Sequence, residues 1–128
     1  MVKASSLASS IILSMNWLEK REDIDLQLSK ENIHKLFVQQ IAQDFSRCAI
    51  EIDSSQLEIL FDAMELNTTI ALALQKHHNK LDQILYIIDV PEKYTLKLDK
   101  EKPNFLQDLA MLILKRVLQK VLTRLAFQ

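Results

Sequence analysis

Residues Phe105–Phe127, FLQDLAMLILKRVLQKVLTRLAF, decide the fold. Pro103 and Asn104 stand directly before them, and proline is common where a helix begins. Apolar residues recur every three or four positions and leave only a narrow polar strip, made of Asp108, Lys115, Gln119, Lys120 and Thr123. A helix that is apolar over most of its circumference normally lies at the centre of a bundle. The stretch therefore predicts a long, mostly buried C-terminal helix.

The residues before this stretch predict further amphipathic helices. Leu7, Ile11, Met15 and Leu18 recur at helical spacing, and so do the apolar residues between Ile33 and Phe45. The N-cap candidates that follow the first of these segments are Ser29, Asp53 (with Gln56 as a capping box) and Thr68 or Thr69. We expect an all-α, compact bundle of about five or six helices that forms one domain over residues 1–128.

Three short segments favour an alternative fold with a small accessory sheet. Residues 24–28 (IDLQL), 50–52 (IEI) and 94–98 (YTLKL) alternate apolar and polar side chains, as half-buried strands do. Each segment lies where two helices would be joined, and extended connectors that pack alternate side chains on a core have the same pattern. The α+β alternative therefore stays open at the sequence level.

The chain contains no glycine. Glycine supplies positive φ angles and close backbone approach to ligands. Its absence excludes the P-loop, the dinucleotide-binding G-x-G-x-x-G, the G-x-S-x-G nucleophile elbow and the EF-hand loop in their usual forms. We expect the helices to end on asparagine instead, and four are available: Asn32, Asn67, Asn79 and Asn104.

Composition indicates a soluble, cytoplasmic protein. Hydrophobic residues make up 48% and charged residues 26% of the chain, as in ordinary globular domains. The single cysteine, Cys48, cannot form an internal disulfide. The first fourteen residues are too polar for a secretory signal, and no apolar run approaches the roughly 18 residues of a membrane span.

Two stretches carry a resemblance: residues 85–92, LYIIDVPE, and residues 119–124, QKVLTR. Together they resemble a group of small, uncharacterised bacterial helical proteins, in which a segment of the type LLYRIDV-E precedes a long final helix with basic residues at its end. The likeness covers the C-terminal third. This chain has Ile87 where that pattern has arginine, and it lacks the basic cluster after Arg124. The resemblance implies an all-helical fold and a bacterial source, and it implies no activity.

Charge is divided unevenly along the chain. Residues 1–92 hold 8 basic and 14 acidic residues, whereas residues 93–128 hold 8 basic and 3 acidic ones. The basic residues of the C-terminal third are Lys93, Lys97, Lys100, Lys102, Lys115, Arg116, Lys120 and Arg124. The last four are candidate contacts to an anionic partner such as nucleic acid. The other interpretation, which we favour, is that a basic final helix complements acidic helices packed around it.

Side chains for catalysis or metal binding are sparse. Glu58, Asp62 and Glu65 have the spacing of one helix face, and so do His78 and Asp82. The pair of Glu-x-x-His elements that four-helix metal sites use is absent, and Cys48 has no identifiable His–Asp partnership. We therefore expect no catalytic residues, no bound metal and no cofactor, and a metal-dependent enzyme is only the third interpretation.

Trp17, Leu125 and Phe127 lie near the chain ends and are either core residues or part of an apolar patch that another chain covers. The patch would make the protein an interaction or adaptor module, with a second copy as one possible partner. This is our first functional hypothesis. A nucleic-acid-associated protein that uses the basic C-terminal third is the alternative, and no membrane partner is expected.

Overall fold

The computed structural model describes residues 21–127, and these form seven α-helices and no strand. The helices are α1 (Arg21–Leu28), α2 (Glu31–Ser46), α3 (Ser54–Glu58), α4 (Ala63–Lys76), α5 (Leu81–Ile88), α6 (Glu92–Thr95) and α7 (Phe105–Ala126), and a 3-10 turn, His78–Lys80, joins α4 to α5. The all-α prediction is confirmed, and the sheet alternative is wrong for the described residues. The predicted N-terminal helix through Leu7–Leu18 lies outside them.

The long helix α7 is central, as the sequence predicts. It packs most extensively on α4 and α2, and it also contacts α5 and α6. Seven consecutive members of its apolar stripe are buried: Leu109, Ala110, Ile113, Leu114, Val117, Leu118 and Val121. Helices α1, α2, α4 and α5 add their own apolar stripes to the same buried cluster. No helix among residues 21–127 is both long and apolar enough to cross a membrane.

The three alternating segments each have a different structure. Residues 24–28 belong to α1, and residues 94–98 form the end of α6 and the turn after it. Residues 50–52 are an extended connector in which Ile50 is buried, Glu51 is exposed and Ile52 is half-buried. Alternation in this connector reflects packing on the core without strand pairing.

Helix starts were predicted less well than helix existence. Asp53 caps α3 by accepting a hydrogen bond from Ser55 N at 3.1 Å, and the Ser55 hydroxyl lowers the pKa of this carboxyl. Ser29 and Thr68 or Thr69 were wrong as caps. The N-cap of α2 is Lys30, and both threonines lie inside α4, where they donate to the carbonyls of Met64 and Glu65. Asp62 caps α4, since it accepts from Met64 N at 2.7 Å.

The asparagine expectation for helix ends was also wrong. Left-handed backbone occurs at Ala49 (φ 59°), which follows α2, and at Asp89 (φ 66°), which ends α5. In both cases the next residue donates to a carbonyl of the preceding helix, Ile50 N to Phe45 O and Val90 N to Leu85 O, each at 3.0 Å. These bonds satisfy terminal carbonyls that would otherwise lack a partner.

Asn67 lies in the buried stripe of α4, where its Oδ1 accepts no hydrogen bond from any residue in the described range 21–127. A buried acceptor without a donor costs about 1–3 kcal/mol. We expect Asn67→Leu, which has similar size and better helix propensity, to raise the free energy of unfolding by about 1 kcal/mol. Urea denaturation followed by circular dichroism measures this change. A lower midpoint for Asn67→Leu than for the wild type would show that the amide is a stabilising group.

Candidate functional site

The candidate site is a groove formed by α5, α6 and the first turn of α7. On α5, Ile84 and Ile88 point into the core, so that Leu81 and Leu85 lie at the edge of the helix and remain half-buried. The left-handed Asp89 ends α5 abruptly, and Pro91, with extended backbone, starts α6. A groove lies between α5, α6 and the start of α7, and α6 and α7 are in contact.

The groove has an apolar floor and a volume of about 510 Å³. Its apolar lining residues are Leu81, Leu85, Val90, Leu96, Phe105 and Leu109. Tyr86 stands at the edge and is 83% exposed, and Leu96 is 74% exposed. Two large side chains of this kind beside a concave apolar surface are unusual for a surface that contacts only water. We call this surface the α5–α6–α7 groove.

Charged side chains of both signs border the groove. Asp82 and Glu92 contribute carboxylates from α5 and α6, and Lys100 contributes an ammonium group from the connector to α7. All three are exposed, and none of them makes an ion pair within the described part of the chain. A ligand in the groove would therefore contact carboxylates on α5 and α6 and the ammonium group of Lys100 between α6 and α7.

Three of the four basic residues predicted to contact an anionic partner bond within the protein. Lys120 Nζ lies 2.9 Å from Asp44 Oδ2, and Arg116 Nη2 lies 3.1 Å from Asp89 Oδ2. Arg124 donates to Gln40 Oε1, whose amide in turn donates to Asp44 Oδ1 at 3.0 Å. The three residues thus tie α7 to α2 and to the end of α5.

The remaining basic residues of the C-terminal third are dispersed. Lys115 is half-buried and makes no ion pair with any described residue. Lys93 and Lys97 flank the ring of Tyr94, with their Nζ atoms 5.1 and 6.0 Å from its centroid. Exposed Lys102 shares its segment with the exposed carboxylates Asp99 and Glu101. Charges of both signs therefore alternate along this connector.

The acidic and histidine candidates do not converge. Glu58 ends α3, Asp62 caps α4 and Glu65 lies in the first turn of α4, so the single helix face that their spacing predicted does not exist. His78 lies in the 3-10 turn and Asp82 in α5, and both are exposed. Residues 21–127 contain no group of three or more side chains arranged to hold a metal ion.

His34 and Cys48 also carry reactive side chains, and both are buried in the core. The ring of His34 is buried, donates or accepts through Nε2 at 2.6 Å from Leu60 O, and stacks on Phe61 at 3.8 Å. Cys48 is buried, and this burial raises the pKa of its thiol, so the nucleophilic thiolate is disfavoured. Lys80 Nζ donates to the Cys48 carbonyl at 3.0 Å. His34 thus holds the connector between α3 and α4 against α2. The bond from Lys80 ties the 3-10 turn to the connector that follows α2.

Sequence reasoning placed the apolar patch at the chain ends. Leu125 is half-buried against the core, Phe127 is 65% exposed, and Trp17 lies outside the described residues. The groove residues Tyr86, Val90 and Leu96 were missed as a surface. The signal that marks them is an apolar residue beside each helix break, at Asp89–Pro91 and after Thr95.

No protein-family model, no curated protein and no solved structure matches this chain.

Proposed function

We propose that the protein is a small helical interaction module whose α5–α6–α7 groove binds an amphipathic helix of another protein. The observation that carries the proposal is the convergence of six apolar side chains on a surface that stays open to solvent at Tyr86 and Leu96. A helix laid into such a groove buries residues spaced at i, i+3 or i+4, and i+7.

The size of the groove supports a helix as the occupant. About 510 Å³ lies in the range of ordinary binding cavities, and the floor extends along α5 from Leu81 and reaches Val90, two residues after the end of that helix. Leu81 and Leu85 are one helical turn apart, which places them about 6 Å from each other along the axis. Apolar side chains one turn apart on a partner helix have the matching spacing.

The bordering charges support a partner with complementary charges. Asp82 and Glu92 lie on α5 and α6, and Lys100 follows on the connector. A partner helix with an apolar stripe, basic residues toward the two carboxylates and an acidic residue toward Lys100 would complement all three. Charge complementarity of this kind gives orientation and specificity more than affinity.

The nucleic-acid alternative receives less support. A phosphate contact needs free cationic groups, whereas Arg116, Lys120 and Arg124 each bond to a side chain of α2 or to Asp89. The exposed Lys100 and Lys102 alternate with the carboxylates Asp99 and Glu101. No observation on these residues favours a phosphate ligand over solvent.

A peptide-display selection on the full-length protein tests the groove. The library consists of sixteen-residue peptides, and we expect the enriched sequences to carry leucine-like residues at helical spacing with basic flanks. Binding of an enriched peptide should weaken by at least about tenfold for Leu96→Lys and for Tyr86→Lys, since a few buried apolar anchors dominate such interfaces. Both positions are exposed, so the free energy of unfolding should change by no more than about 0.5 kcal/mol.

Ile59→Lys is the matched control. Ile59 is as exposed as Leu96 but lies just after α3, outside the groove, so the variant should bind the peptide as tightly as the wild type. The proposal is wrong if no peptide is enriched, or if the enriched peptides bind Leu96→Lys as well as the wild type. Light scattering that shows a dimer in the wild type and a monomer in Leu96→Lys would identify a second copy as the occupant instead.

A further inference from the structure

Of the three helices that form the α5–α6–α7 groove, α6 is the one without a buried side chain. Helices α5 and α7 each bury apolar side chains in the core, whereas in α6 only Tyr94 and Thr95 are even half-buried. Glu92, Thr95 and Leu96 nevertheless line the groove. The position of this wall therefore depends on how the chain is fastened next to α6.

Arg116 of α7 fastens the junction between α5 and α6. Its Nε donates to Asp89 O at 2.9 Å, and its Nη2 lies 3.1 Å from Asp89 Oδ2. Its Nη1 donates to Gln119 Oε1 at 3.1 Å, so that all three nitrogens of the guanidinium group form bonds. The Arg116 side chain is only 24% exposed. Because the guanidinium group is planar and presents its donors in a fixed fork, it is a rigid support for Asp89.

Asp89 needs this support because its backbone is left-handed, with φ 66° and ψ 50°. The conformation is unfavourable for residues other than glycine, although aspartate tolerates it better than most. The Asp89 carbonyl lies just beyond α5, where helix carbonyls have no partner within the helix, and Arg116 supplies a donor. The Asp89 side chain is 79% exposed, so solvent screens its ion pair, and the bond to the carbonyl is the more important contact.

Val90 and Pro91 connect Asp89 to α6. Val90 is half-buried against the core and lines the groove, and the ring of Pro91 fixes its φ angle. Few freely rotating bonds therefore separate Asp89 from Glu92, the first residue of α6. A change in the backbone of Asp89 would consequently shift the α6 wall.

We propose that Arg116 is a positioning residue for the α5–α6–α7 groove. It holds the backbone of Asp89 and thereby keeps the α6 wall at the distance from α5 and α7 that a helical ligand requires. This role rests on the proposed function, because it concerns the affinity of the groove for its ligand. Part of that affinity is thus assigned to a residue that lies outside the groove lining.

Peptide affinity and hydrogen exchange of the full-length protein test this role. Arg116→Met removes all three donors, and it should weaken binding of an enriched peptide by at least about fivefold, since affinity falls with the fraction of molecules whose groove is correctly formed. Fluorescence anisotropy measures this change. Without peptide, the amides of residues 92–98 should exchange at least about fivefold faster in Arg116→Met than in the wild type.

Two conservative variants distinguish the bonds that Arg116 makes. Arg116→Lys should give an affinity between those of the wild type and Arg116→Met, because lysine can donate to Asp89 O but cannot form the fork. Asp89→Asn should bind the peptide within about twofold of the wild type, since asparagine keeps the carbonyl and also tolerates the left-handed conformation.

Arg124→Met is the matched control. Arg124 also lies on α7 and donates to a side chain of another helix, but its partner is Gln40 on α2 instead of the junction between α5 and α6. Its replacement should leave peptide affinity and the exchange of residues 92–98 within about twofold of the wild type. A cooperative urea transition in each variant shows that it is folded under the conditions of the binding assay.

Three results would overturn the positioning role. Equal peptide affinity of the wild type and Arg116→Met would show that Arg116 contributes only to stability. Unchanged exchange of residues 92–98 in Arg116→Met would show that other contacts hold α6. An equal loss of affinity in Arg124→Met would show that peptide binding follows stability alone. Absence of peptide binding by the wild type is a separate result, because it overturns the proposed function and the positioning role together.

Discussion

Replacement of Lys120 by methionine should lower the free energy of unfolding by about 3 kcal/mol. Asp44, its partner at 2.9 Å, is only 1% exposed, so the variant leaves a buried carboxylate to which, among the described residues, only the Gln40 side chain still donates. Removal of one partner of a buried ion pair typically costs about 3–5 kcal/mol. The lower end applies here because Gln40 still bonds to Asp44. Urea denaturation gives the change as a shift of the midpoint at constant slope.

The matched control is Lys115→Met, five residues earlier on α7. Lys115 is half-buried but makes no ion pair among the described residues, so its replacement should change the free energy of unfolding by no more than about 0.5 kcal/mol. The double variant Asp44→Asn with Lys120→Met should recover part of the loss, since neither charge then remains buried alone. Equal midpoints for Lys120→Met and Lys115→Met would contradict the structural role of the pair.

The ion pair between Lys120 and Asp44 also affects how the nucleic-acid alternative can be tested, because Lys120 is one of the four candidate contacts. Substitution of all four candidate residues, Lys115, Arg116, Lys120 and Arg124, would remove two ion pairs and the bond to Gln40. A loss of nucleic-acid binding by this variant could then result from its lower stability instead of from lost phosphate contacts. Lys115→Gln alone removes a cation that makes no ion pair with any described residue, and it is the cleaner variant for a mobility-shift assay.

Replacement of Phe37 by alanine should lower the free energy of unfolding by about 3–5 kcal/mol. Phe37 is fully buried on α2, within the cluster that α4 and α7 complete. The variant loses the transfer free energy of the ring and leaves a cavity that the surrounding helices fill only in part. A change of this size is a large part of the roughly 5–15 kcal/mol that stabilises an ordinary domain.

Phe127→Ala provides the comparison within the same residue type. Phe127 follows the last residue of α7 and is 65% exposed, so its truncation should change the free energy of unfolding by no more than about 0.5 kcal/mol. Thermal unfolding at fixed protein concentration measures both variants. If Phe127→Ala proved as destabilising as Phe37→Ala, the chain end would be covered by another molecule, and the effect would then depend on protein concentration.

The candidate groove illustrates why the site was harder to predict than the fold. Leu85 and Phe105 are twenty positions apart, and each is only one apolar residue in a helical stripe. Their convergence depends on the break between α5 and α6, where Asp89 is left-handed and Pro91 is extended. Periodicity shows that a residue faces apolar surroundings, but it does not show whether the neighbouring helix reaches far enough to cover it.

The sequence by itself determined the helical class, the central position of α7 and the absence of glycine-dependent ligand loops, because apolar spacing and residue chemistry are local properties. It also indicated that basic residues of α7 complement acidic ones elsewhere. Only the tertiary structure decided which charges meet, Lys120 with Asp44 and Arg116 with Asp89, across separations of 76 and 27 residues. Such pairs depend on how helices are placed relative to one another, and this placement is a property of the whole packed core.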